Sequence, residues 1–218
     1  KQENLWLYGR SDLVCNSNQF VSCSNIEHHS KGVNFILKTH LGIANINSPL
    51  LGDFNIDNLL AVIAVLLIEG LSLENIAQEI TRINAIAGRM EAFSTELPLI
   101  APTAVVDYAH TPDALEKALL ACRQHCHGRL HVVFGCGGDR DKGKRALMAQ
   151  VAEKHADYVV VTNDNPRSEA PMSIVSDIVA GLTPQAKHKV IIDRTEAVLT
   201  TLREANTDDV VLLAGKGH

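Results

Sequence analysis

The hydrophobic positions of this chain follow two different patterns. The first fifty residues hold short stretches in which apolar and polar residues alternate, such as Val33–Leu37 and Gly42–Ile46, separated by Asn, Ser and Gly. Alternation with a period of two is typical of strands with one buried face, so small antiparallel strands are expected here. A run over 53–70 that is apolar nearly all round predicts a buried helix, and a second helix is predicted over 72–83.

From residue 103 onward, strand and helix patterns alternate along the chain. The predicted strands are continuous apolar runs rich in β-branched residues, which is typical of a parallel sheet covered on both faces. The fold class expected is therefore a doubly wound, mostly parallel α/β sheet of the Rossmann-like kind. The predicted strands are Thr103–Val106, Leu130–Phe134, Tyr158–Thr162, Val190–Ile192 and Val210–Leu213, and the predicted helices cover about 112–126, 144–156, 171–180 and 195–205.

Composition narrows the function classes. The formal net charge of −5 argues against a sequence-independent nucleic-acid binder, which needs a basic surface. The longest apolar run, Leu59–Ile68, is too short to cross a bilayer, and the first residues resemble no signal peptide. Five cysteines without a regular framework fit a reducing compartment. We therefore expect a cytoplasmic protein with no nucleic-acid partner and no membrane insertion.

One cysteine pair invites a test for metal binding. Cys122 and Cys126 are separated by three residues, and three histidines, His125, His127 and His131, lie close by. This spacing matches no common zinc site, and the stretch falls at the end of a predicted helix, where histidine suits the helix dipole. No metal site is expected within this chain.

Ionisable residues and glycines gather after the predicted strands. Ligands of open α/β sheets bind beyond the carboxyl ends of the strands, so these loops predict a shared binding crevice. Only the fourth strand departs from the pattern, since Asp193 and Arg194 alone follow it. The four loops rich in glycine or ionisable groups are Asp107–Pro112, Gly135–Arg145, Asn163–Arg167 and Gly215–His218.

Two of these loops indicate anion binding. The segment from Gly138 to Lys144 nearly matches a phosphate-binding loop, but Arg145 stands where Mg²⁺ would need Ser or Thr. We interpret the segment as a mixed-charge clamp in which Arg140, Lys144 and Arg145 face carboxylates or phosphates. In Asp164–Arg167, proline stiffens the backbone beside a guanidinium that suits a carboxylate.

Taken together, these motifs resemble the Mur ligases, and most closely the members that add 2,6-diaminopimelate. Two upstream segments add to the resemblance: Gly52–Asn58 is similar to the family's G-x-F-N-x-x-N, and Gly88–Glu91 to its G-R-M-E. The resemblance implies that residues 1–87 are the C-terminal part of the central ATP-binding domain. Residues 88–218 are then the C-terminal amino-acid-binding ligase domain, truncated at its end.

The resemblance also implies a reaction in cytoplasmic peptidoglycan precursor synthesis. The family uses ATP and Mg²⁺ to convert the D-glutamate carboxylate of UDP-N-acetylmuramoyl-L-Ala-D-Glu into an acyl phosphate, which the amino group of meso-diaminopimelate then attacks. The family's G-T-N-G-K-T loop is absent from this chain. The expectation is therefore a monomer that cannot catalyse ligation unaided.

Residue roles carry over from the family position by position. Asn55 and Asn58 match residues near the adenine, Arg89 and Asp107 match residues facing the ribose and phosphates, and His110 matches the histidine near the reacting phosphate. His110 and Asp107 are therefore the expected catalytic residues. The expected amino-acid pocket consists of Arg140, Asp164, Asn165, Pro166, Arg167 and Gly215.

The identity of the amino acid depends on Arg167. Diaminopimelate differs from lysine by one carboxylate, and a buried guanidinium left unpaired would penalise lysine. Lysine-adding relatives usually lack this arginine, so Arg167 favours diaminopimelate. Three alternatives stay open at this point: a Mur-type ligase that adds lysine, a folylpolyglutamate-synthetase relative, and a non-catalytic α/β binding module.

Overall fold

A computed structural model describes residues 5–94 and 101–216, apart from the side chain of Asp12. The chain divides into two compact units, Lys1–Asn84 and Ala85–His218. The end of the last predicted loop, Gly217–His218, lies outside the described residues. Among the helices that the structure describes, none is long and apolar enough to cross a membrane.

The first unit contains a four-stranded sheet in the order β1-β2-β3-β4. Strands β2, β3 and β4 pair antiparallel; β3 and β4 contain the predicted alternating stretches, whereas β2 was not predicted. The first strand runs parallel to β2, so the expectation of an antiparallel strand there is wrong. Its connection to β2 is a crossover containing a 3-10 helix rather than a hairpin. The strands are β1 (Leu7–Gly9), β2 (Phe20–His29), β3 (Gly32–Thr39) and β4 (Gly42–Ser48).

Two helices complete this unit: α1 (Asp53–Ile68) and α2 (Leu73–Ile80). Their inward residues join a core with the apolar faces of β2, β3 and β4. The prediction that the first helix is buried all round is wrong, since Val62, Val65 and Ile68 remain more than half exposed. One stripe of α1 packs on the sheet, and the opposite stripe stays apolar without being covered in the described residues.

His28 and His29 are the last two residues of β2. The Nε2 atom of His28 lies 2.9 Å from Asp53 Oδ1, and the His28 side chain is only 18% exposed. The His28 side chain therefore contacts the start of α1.

The second unit contains a six-stranded sheet in the order β5-β6-β10-β7-β8-β9. All neighbouring strands pair parallel except the short β5, which runs antiparallel to β6 and has no counterpart in the sequence prediction. The doubly wound α/β class is confirmed. The elements are β5 (Glu91–Phe93), β6 (Thr103–Asp107), α3 (Pro112–Gln124), β7 (Leu130–Phe134), α4 (Gly143–His155), β8 (Tyr158–Val161), α5 (Pro171–Val179), β9 (His188–Val190), α6 (Arg194–Glu204) and β10 (Val210–Ala214).

The connections of this sheet explain why both faces are covered. The crossovers through α3, α4 and α5 advance along the sheet, whereas the one through α6 returns from β9 to β10. Since such crossovers are right-handed, α6 lies on the opposite face. Its residues Ala197, Val198 and Leu202 pack with Val133 and Val211. The return of β10 to a place between β6 and β7 brings the loops after β6, β10, β7 and β8 side by side.

Candidate functional site

The predicted crevice lies at the carboxyl ends of the parallel strands in the second unit. Asp107 ends β6, and both of its carboxylate oxygens accept backbone hydrogen bonds: Oδ1 from Ala109 N at 2.8 Å and Oδ2 from Met90 N at 3.0 Å. Its carbonyl oxygen also accepts a bond from Gly215 N at 3.0 Å. Asp107 thus ties three segments together at one point of the crevice.

Arg89 and His110 lie on the same aromatic ring. The Arg89 guanidinium is 4.6 Å from the centre of the Tyr108 ring, and the His110 ring is 4.7 Å from it. Such a cation above an aromatic ring is attracted by the ring quadrupole. Tyr108 N also donates to the Gly88 carbonyl oxygen at 3.0 Å, which fixes the two segments to each other. The sequence motifs predict no role for Tyr108, although this residue lies within the Asp107–Pro112 loop.

His110 is exposed at the rim of the crevice, with Nδ1 3.0 Å from the Tyr108 carbonyl oxygen. A carbonyl neighbour places the proton on Nδ1 in the neutral ring, which leaves Nε2 as an acceptor. Lys144, in the first turn of α4, donates from Nζ to the His110 carbonyl oxygen at 2.9 Å. The loop after β6 is therefore held by the helix that follows β7.

Arg140, Asn165 and Arg167 meet around Gly137. A β-carbon built at Gly137 would lie 3.7 Å from Arg167 Nη1, 3.9 Å from Arg140 Cγ and 3.6 Å from the Asn165 carbonyl oxygen. Both arginines are exposed, and neither forms an ion pair with another described residue. The Nη1 atom of Arg167 donates to the Gly138 carbonyl oxygen at 2.5 Å. The Arg167 guanidinium and the aliphatic part of the Arg140 side chain, from neighbouring loops, thus border one small residue.

Asp164 lies beside Gly215, which has the positive φ of 84° that glycine adopts freely. A β-carbon at Gly215 would lie 4.0 Å from Asp164 Oδ2 and 3.8 Å from the Ala109 carbonyl oxygen. Lys216 Nζ is 4.0 Å from Asp164 Oδ1. The loops after β6, β8 and β10 therefore converge at Asp164.

The predicted availability of Arg145 to ligands is wrong. Its side chain is fully buried, and its guanidinium bonds to Glu169 twice, at 2.8 and 3.0 Å, and to Asp177 at 2.8 Å. The Arg145 bonds lower the pKa of Glu169 from its usual 4.5 to about 2. Because a buried guanidinium needs such partners, this arginine is committed to holding α4 against the loop after β8.

Arg194 is a site residue that sequence reasoning set aside. It begins α6, and Nη2 donates to the Ala214 carbonyl oxygen at 2.7 Å, directly before Gly215. Burial lowers its pKa, while the negative charge of Asp164 opposes that shift. A cavity of about 460 Å³ adjoins Arg194, Asp164 and Lys216. In the sequence, only its position after the fourth predicted strand indicated that Arg194 lies near the crevice.

The two predicted adenine residues belong to the first unit. Asn55 and Asn58 lie on α1, where Asn55 Nδ2 donates to the Leu51 carbonyl oxygen at 2.8 Å. Asn58 Nδ2 donates to Asn55 Oδ1 at 3.2 Å, and the Asn58 side chain is exposed. Asn58 therefore presents its amide oxygen to solvent, one turn into the helix.

Metal-ligating side chains are scattered rather than grouped. Within residues 5–94 and 101–216, no three His, Cys, Asp or Glu side chains form a group that could hold a metal ion. The cysteines near the expected crevice do not supply a thiolate either, since burial raises the pKa of Cys136 to about 11.

Two family models match the chain. The Mur ligase glutamate ligase domain matches residues 88–217, which is more than half of the chain, and the Mur ligase middle domain matches residues 2–66. The chain belongs to the Mur ligase family. The resemblance predicted from the motifs is thereby confirmed at the level of the family.

Relatives within the family include a diaminopimelate-adding ligase. The UDP-N-acetylmuramoyl-L-alanyl-D-glutamate–2,6-diaminopimelate ligase of Haemophilus influenzae is 47% identical over 208 residues, which are 95% of this chain and 42% of that protein. A solved structure of a ligase with the same name is 35% identical, with a TM-score of 0.77 over 97% of this chain and 42% of its own. This Mur ligase chain thus spans about two fifths of the length of the curated relatives it matches.

Proteins other than diaminopimelate-adding ligases share this fold. A folylpolyglutamate synthase from Thermotoga maritima has a TM-score of 0.68 over 92% of this chain and 44% of its own, at 17% identity. A likeness at that identity shows a common fold alone, since one fold supports many functions. It gives no support for the folylpolyglutamate alternative.

Proposed function

We propose that this chain provides the amino-acid-binding part of an ATP-dependent ligase that adds meso-2,6-diaminopimelate to UDP-N-acetylmuramoyl-L-alanyl-D-glutamate. One observation carries the proposal: Arg140 and Arg167 flank Gly137 at the crevice, and neither is paired with an acid of the described chain. The relation to a ligase named for this amino acid supports it.

The chemistry of diaminopimelate fits two guanidiniums. The molecule carries a carboxylate at each end, and an arginine fork binds a carboxylate through two parallel hydrogen bonds. Lysine would leave one guanidinium without its partner. Because both guanidiniums are exposed in the unliganded chain, lysine loses the charge-assisted hydrogen bonds of the second carboxylate rather than leaving a buried charge unpaired. Arg167 is the residue we assign to the distal carboxylate.

Asp164 and Gly215 complete the proposed pocket. The Asp164 carboxylate suits an ammonium group of the amino acid, and Gly215 lets a ligand approach the backbone without meeting a β-carbon. Asn165 and Pro166 hold the loop between them, with the Asn165 carbonyl oxygen accepting from Gly138 N at 2.8 Å. Each end of diaminopimelate, a carboxylate beside an ammonium, thus has a complementary group.

Arg89, Tyr108 and His110 form the proposed ATP-facing side. When bound, ATP supplies the phosphoryl group that activates the D-glutamate carboxylate. We assign Arg89 to phosphate charge and His110 Nε2 to a bond with a phosphate oxygen. Asp107 uses both carboxylate oxygens on backbone N–H groups, so its proposed part is to hold Arg89 and His110 in place.

The proposed amide-forming step needs an uncharged amine. That amine forms the new C–N bond at the acyl carbon, inorganic phosphate leaves, and the amine loses one proton. The described residues hold no grouped set of side-chain ligands for the predicted Mg²⁺. The ATP and Mg²⁺ requirements stay predictions.

Isothermal titration of the chain tests the pocket. Separate titrations with meso-diaminopimelate, L-lysine and L-glutamate distinguish the three amino-acid classes that the resemblance left open. We expect diaminopimelate to bind at least tenfold more tightly than the other two. Preference for lysine would favour the lysine-adding alternative, preference for glutamate the folylpolyglutamate one, and no binding would contradict the pocket.

A chimera tests the reaction itself. This chain replaces the matching 208-residue part of the Haemophilus influenzae ligase, which supplies the remaining length. ADP formation is then measured with the UDP-linked dipeptide, ATP and each amino acid. We expect activity with meso-diaminopimelate above lysine. A chimera that folds and binds diaminopimelate but forms no ADP would contradict the catalytic assignment while leaving the binding assignment intact.

A further inference from the structure

The two arginines of the pocket stand on loops that are fastened to each other by a group we call the brace: Asp139, Arg145, Ser168 and Glu169. Two of its members adjoin the arginines in the sequence, since Asp139 precedes Arg140 and Ser168 follows Arg167. None of the four was expected to act in this way.

The brace is reciprocal. From the loop after β7, the Asp139 carboxylate accepts bonds from Ser168 N at 3.1 Å and Ser168 Oγ at 2.7 Å. From the loop after β8, Glu169 Oε1 accepts a bond from Asp139 N at 2.7 Å. Each loop therefore supplies a carboxylate that binds the backbone of the other.

The buried Arg145 side chain holds Glu169 in place for these contacts between the loops. Its buried guanidinium holds both oxygens of Glu169, and its Nη2 lies 3.5 Å from the Gly137 carbonyl oxygen. A bidentate arginine–carboxylate pair fixes direction as well as distance. Glu169 consequently keeps one orientation toward the loop after β7.

The backbone of the two loops is also in direct contact. A β-carbon at Gly138 would overlap the Pro166 carbonyl oxygen, and Gly138 N donates to the Asn165 carbonyl oxygen. Asp139 and Arg167 adopt positive φ values of 52° and 50°, which non-glycine residues rarely do. Such conformations persist where surrounding contacts determine them. The positive φ values of Asp139 and Arg167 do not follow the local backbone preference of these residues. They set the direction of the neighbouring side chains.

We propose that Asp139, Arg145, Ser168 and Glu169 are positioning residues that set the spacing between Arg140 and Arg167 and thereby select a diamino dicarboxylate over lysine. This inference rests on the proposed function for its ligand. The arginine side chains themselves are exposed, so their separation depends on where their backbones are held. A pocket that measures the distance between two carboxylates needs that separation to be constant.

The test compares two carboxylates with matched contacts. Glu169→Gln removes a carboxylate that bonds one arginine and one backbone N–H at the crevice and also pairs with the exposed Lys142 at 3.3 Å. Asp157→Asn is the control, because Asp157 bonds Arg123 at 2.8 Å and Leu130 N at 2.8 Å, at the other end of the sheet. Titration of each variant with meso-diaminopimelate and L-lysine gives the ratio of the two dissociation constants.

A change in this ratio separates positioning from stability. A variant with less folded protein weakens both apparent affinities by the same factor, so the ratio stays constant. We expect Glu169→Gln to lower the preference for diaminopimelate by about tenfold or more, as a misplacement of about 1 Å in a bound group does. Asp157→Asn should leave the preference unchanged. An unchanged ratio in Glu169→Gln would overturn the proposal.

A second arm needs no ligand. Amide hydrogen exchange is measured at Gly138, Arg140 and Arg167 in Ser168→Ala, which loses the hydroxyl bond to Asp139, and in Ser168→Thr, which keeps it. We expect faster exchange in the loop after β7 for alanine and restoration for threonine, although the substitution is in the other loop. Unchanged exchange in Ser168→Ala would refute the coupling. If the unmodified chain binds neither amino acid, the proposed function fails and this arm alone decides the brace.

Discussion

The sheet of the second unit has one side at the amino ends of its parallel strands, here called the amino edge, and one at their carboxyl ends, here called the carboxyl edge. Both edges use the same chemistry for different purposes. At the amino edge, Asp209 accepts bonds from Arg129 N at 2.7 Å and Asn206 N at 2.8 Å, with His131 Nε2 3.3 Å away. At the carboxyl edge, Asp107 and Glu169 likewise accept backbone N–H groups. Both edges therefore use carboxylates to fasten the segments next to the strands.

The two edges differ in the partners of their arginine side chains. At the amino edge, Arg123 pairs with Asp157, and the Arg129 guanidinium lies 5.6 Å from the centre of the Tyr158 ring, so both charges have partners within the fold. Arg140 and Arg167 at the carboxyl edge border Gly137 without an acid partner among residues 5–94 and 101–216. Rigid loops with unpaired guanidiniums are suited to binding an anion from solution. The comparison separates structural ion pairs from groups held ready for a ligand.

The largest expected effect comes from removing the anchor of the carboxyl edge. Arg145→Ala leaves Glu169 and Asp177 without their buried partner, and we expect a loss of about 3 kcal/mol in the free energy of unfolding. Urea denaturation followed by circular dichroism measures it. Arg203→Ala, in the last turn of α6, is a surface control expected to change stability by less than about 0.5 kcal/mol. Equal losses in the two variants would contradict a structural role for Arg145.

Glycines at the two edges give the next effect. Gly138→Ala would push a β-carbon into the Pro166 carbonyl oxygen, and Gly128→Ala would push one into Asp209 at the amino edge. We expect each to cost about 2 kcal/mol, as overpacking does. Only Gly138→Ala should also alter the preference for diaminopimelate over lysine, measured by titration. A similar change of preference in Gly128→Ala would remove the distinction between the edges.

A smaller effect is expected from the amino-edge carboxylate. Asp157→Asn weakens the bonds to Leu130 N and to the partly exposed Arg123, which should cost about 1 kcal/mol in thermal or chemical unfolding. Burial alone would raise the pKa of Asp157, but the bonds from Leu130 N and Arg123 outweigh it and lower the pKa. A loss as large as that of Arg145→Ala would mean that the amino edge is the more tightly fastened one.

The pH dependence of unfolding is the smallest effect. The folded pKa of Glu169 is about 2 against its usual 4.5, so its stabilisation is complete above 4.5 and is lost as the pH falls from 4.5 toward 2. The stability difference between the unmodified chain and Glu169→Gln should narrow over that range. For Asp157, whose usual value is 3.8, the narrowing should begin at lower pH. Urea titrations at several pH values between 2 and 6 measure both differences.

The sequence predicted the second unit better than the first because parallel strands are buried on both faces. All five residues of β7 are buried, and such continuous apolar runs stand out from the loops around them. The short β5 and the parallel pairing of β1 depend on partners distant in sequence, so no local pattern indicates them. Burial along α1 also depends on what packs against each face, which composition alone does not reveal.

For the candidate site, residue types predicted the loops but not the task of each charge. Arg140 and Arg145 look alike in the sequence, yet one is exposed and the other is completely buried. The difference arises from Glu169, which lies more than twenty residues further along the chain and reaches Arg145 through the fold. Likewise, no local rule predicts the positive φ of Arg167, which directly follows the contact between Pro166 and Gly138.

The most direct test of the central claim is the titration of Arg167→Ala with meso-diaminopimelate and with L-lysine. The variant removes the guanidinium assigned to the distal carboxylate and leaves Arg140 and Asp164 in place. The ratio of the two dissociation constants is compared with that of the unmodified chain. We predict that most of the preference for diaminopimelate disappears while lysine binding changes little. A ratio equal to that of the unmodified chain would contradict the account.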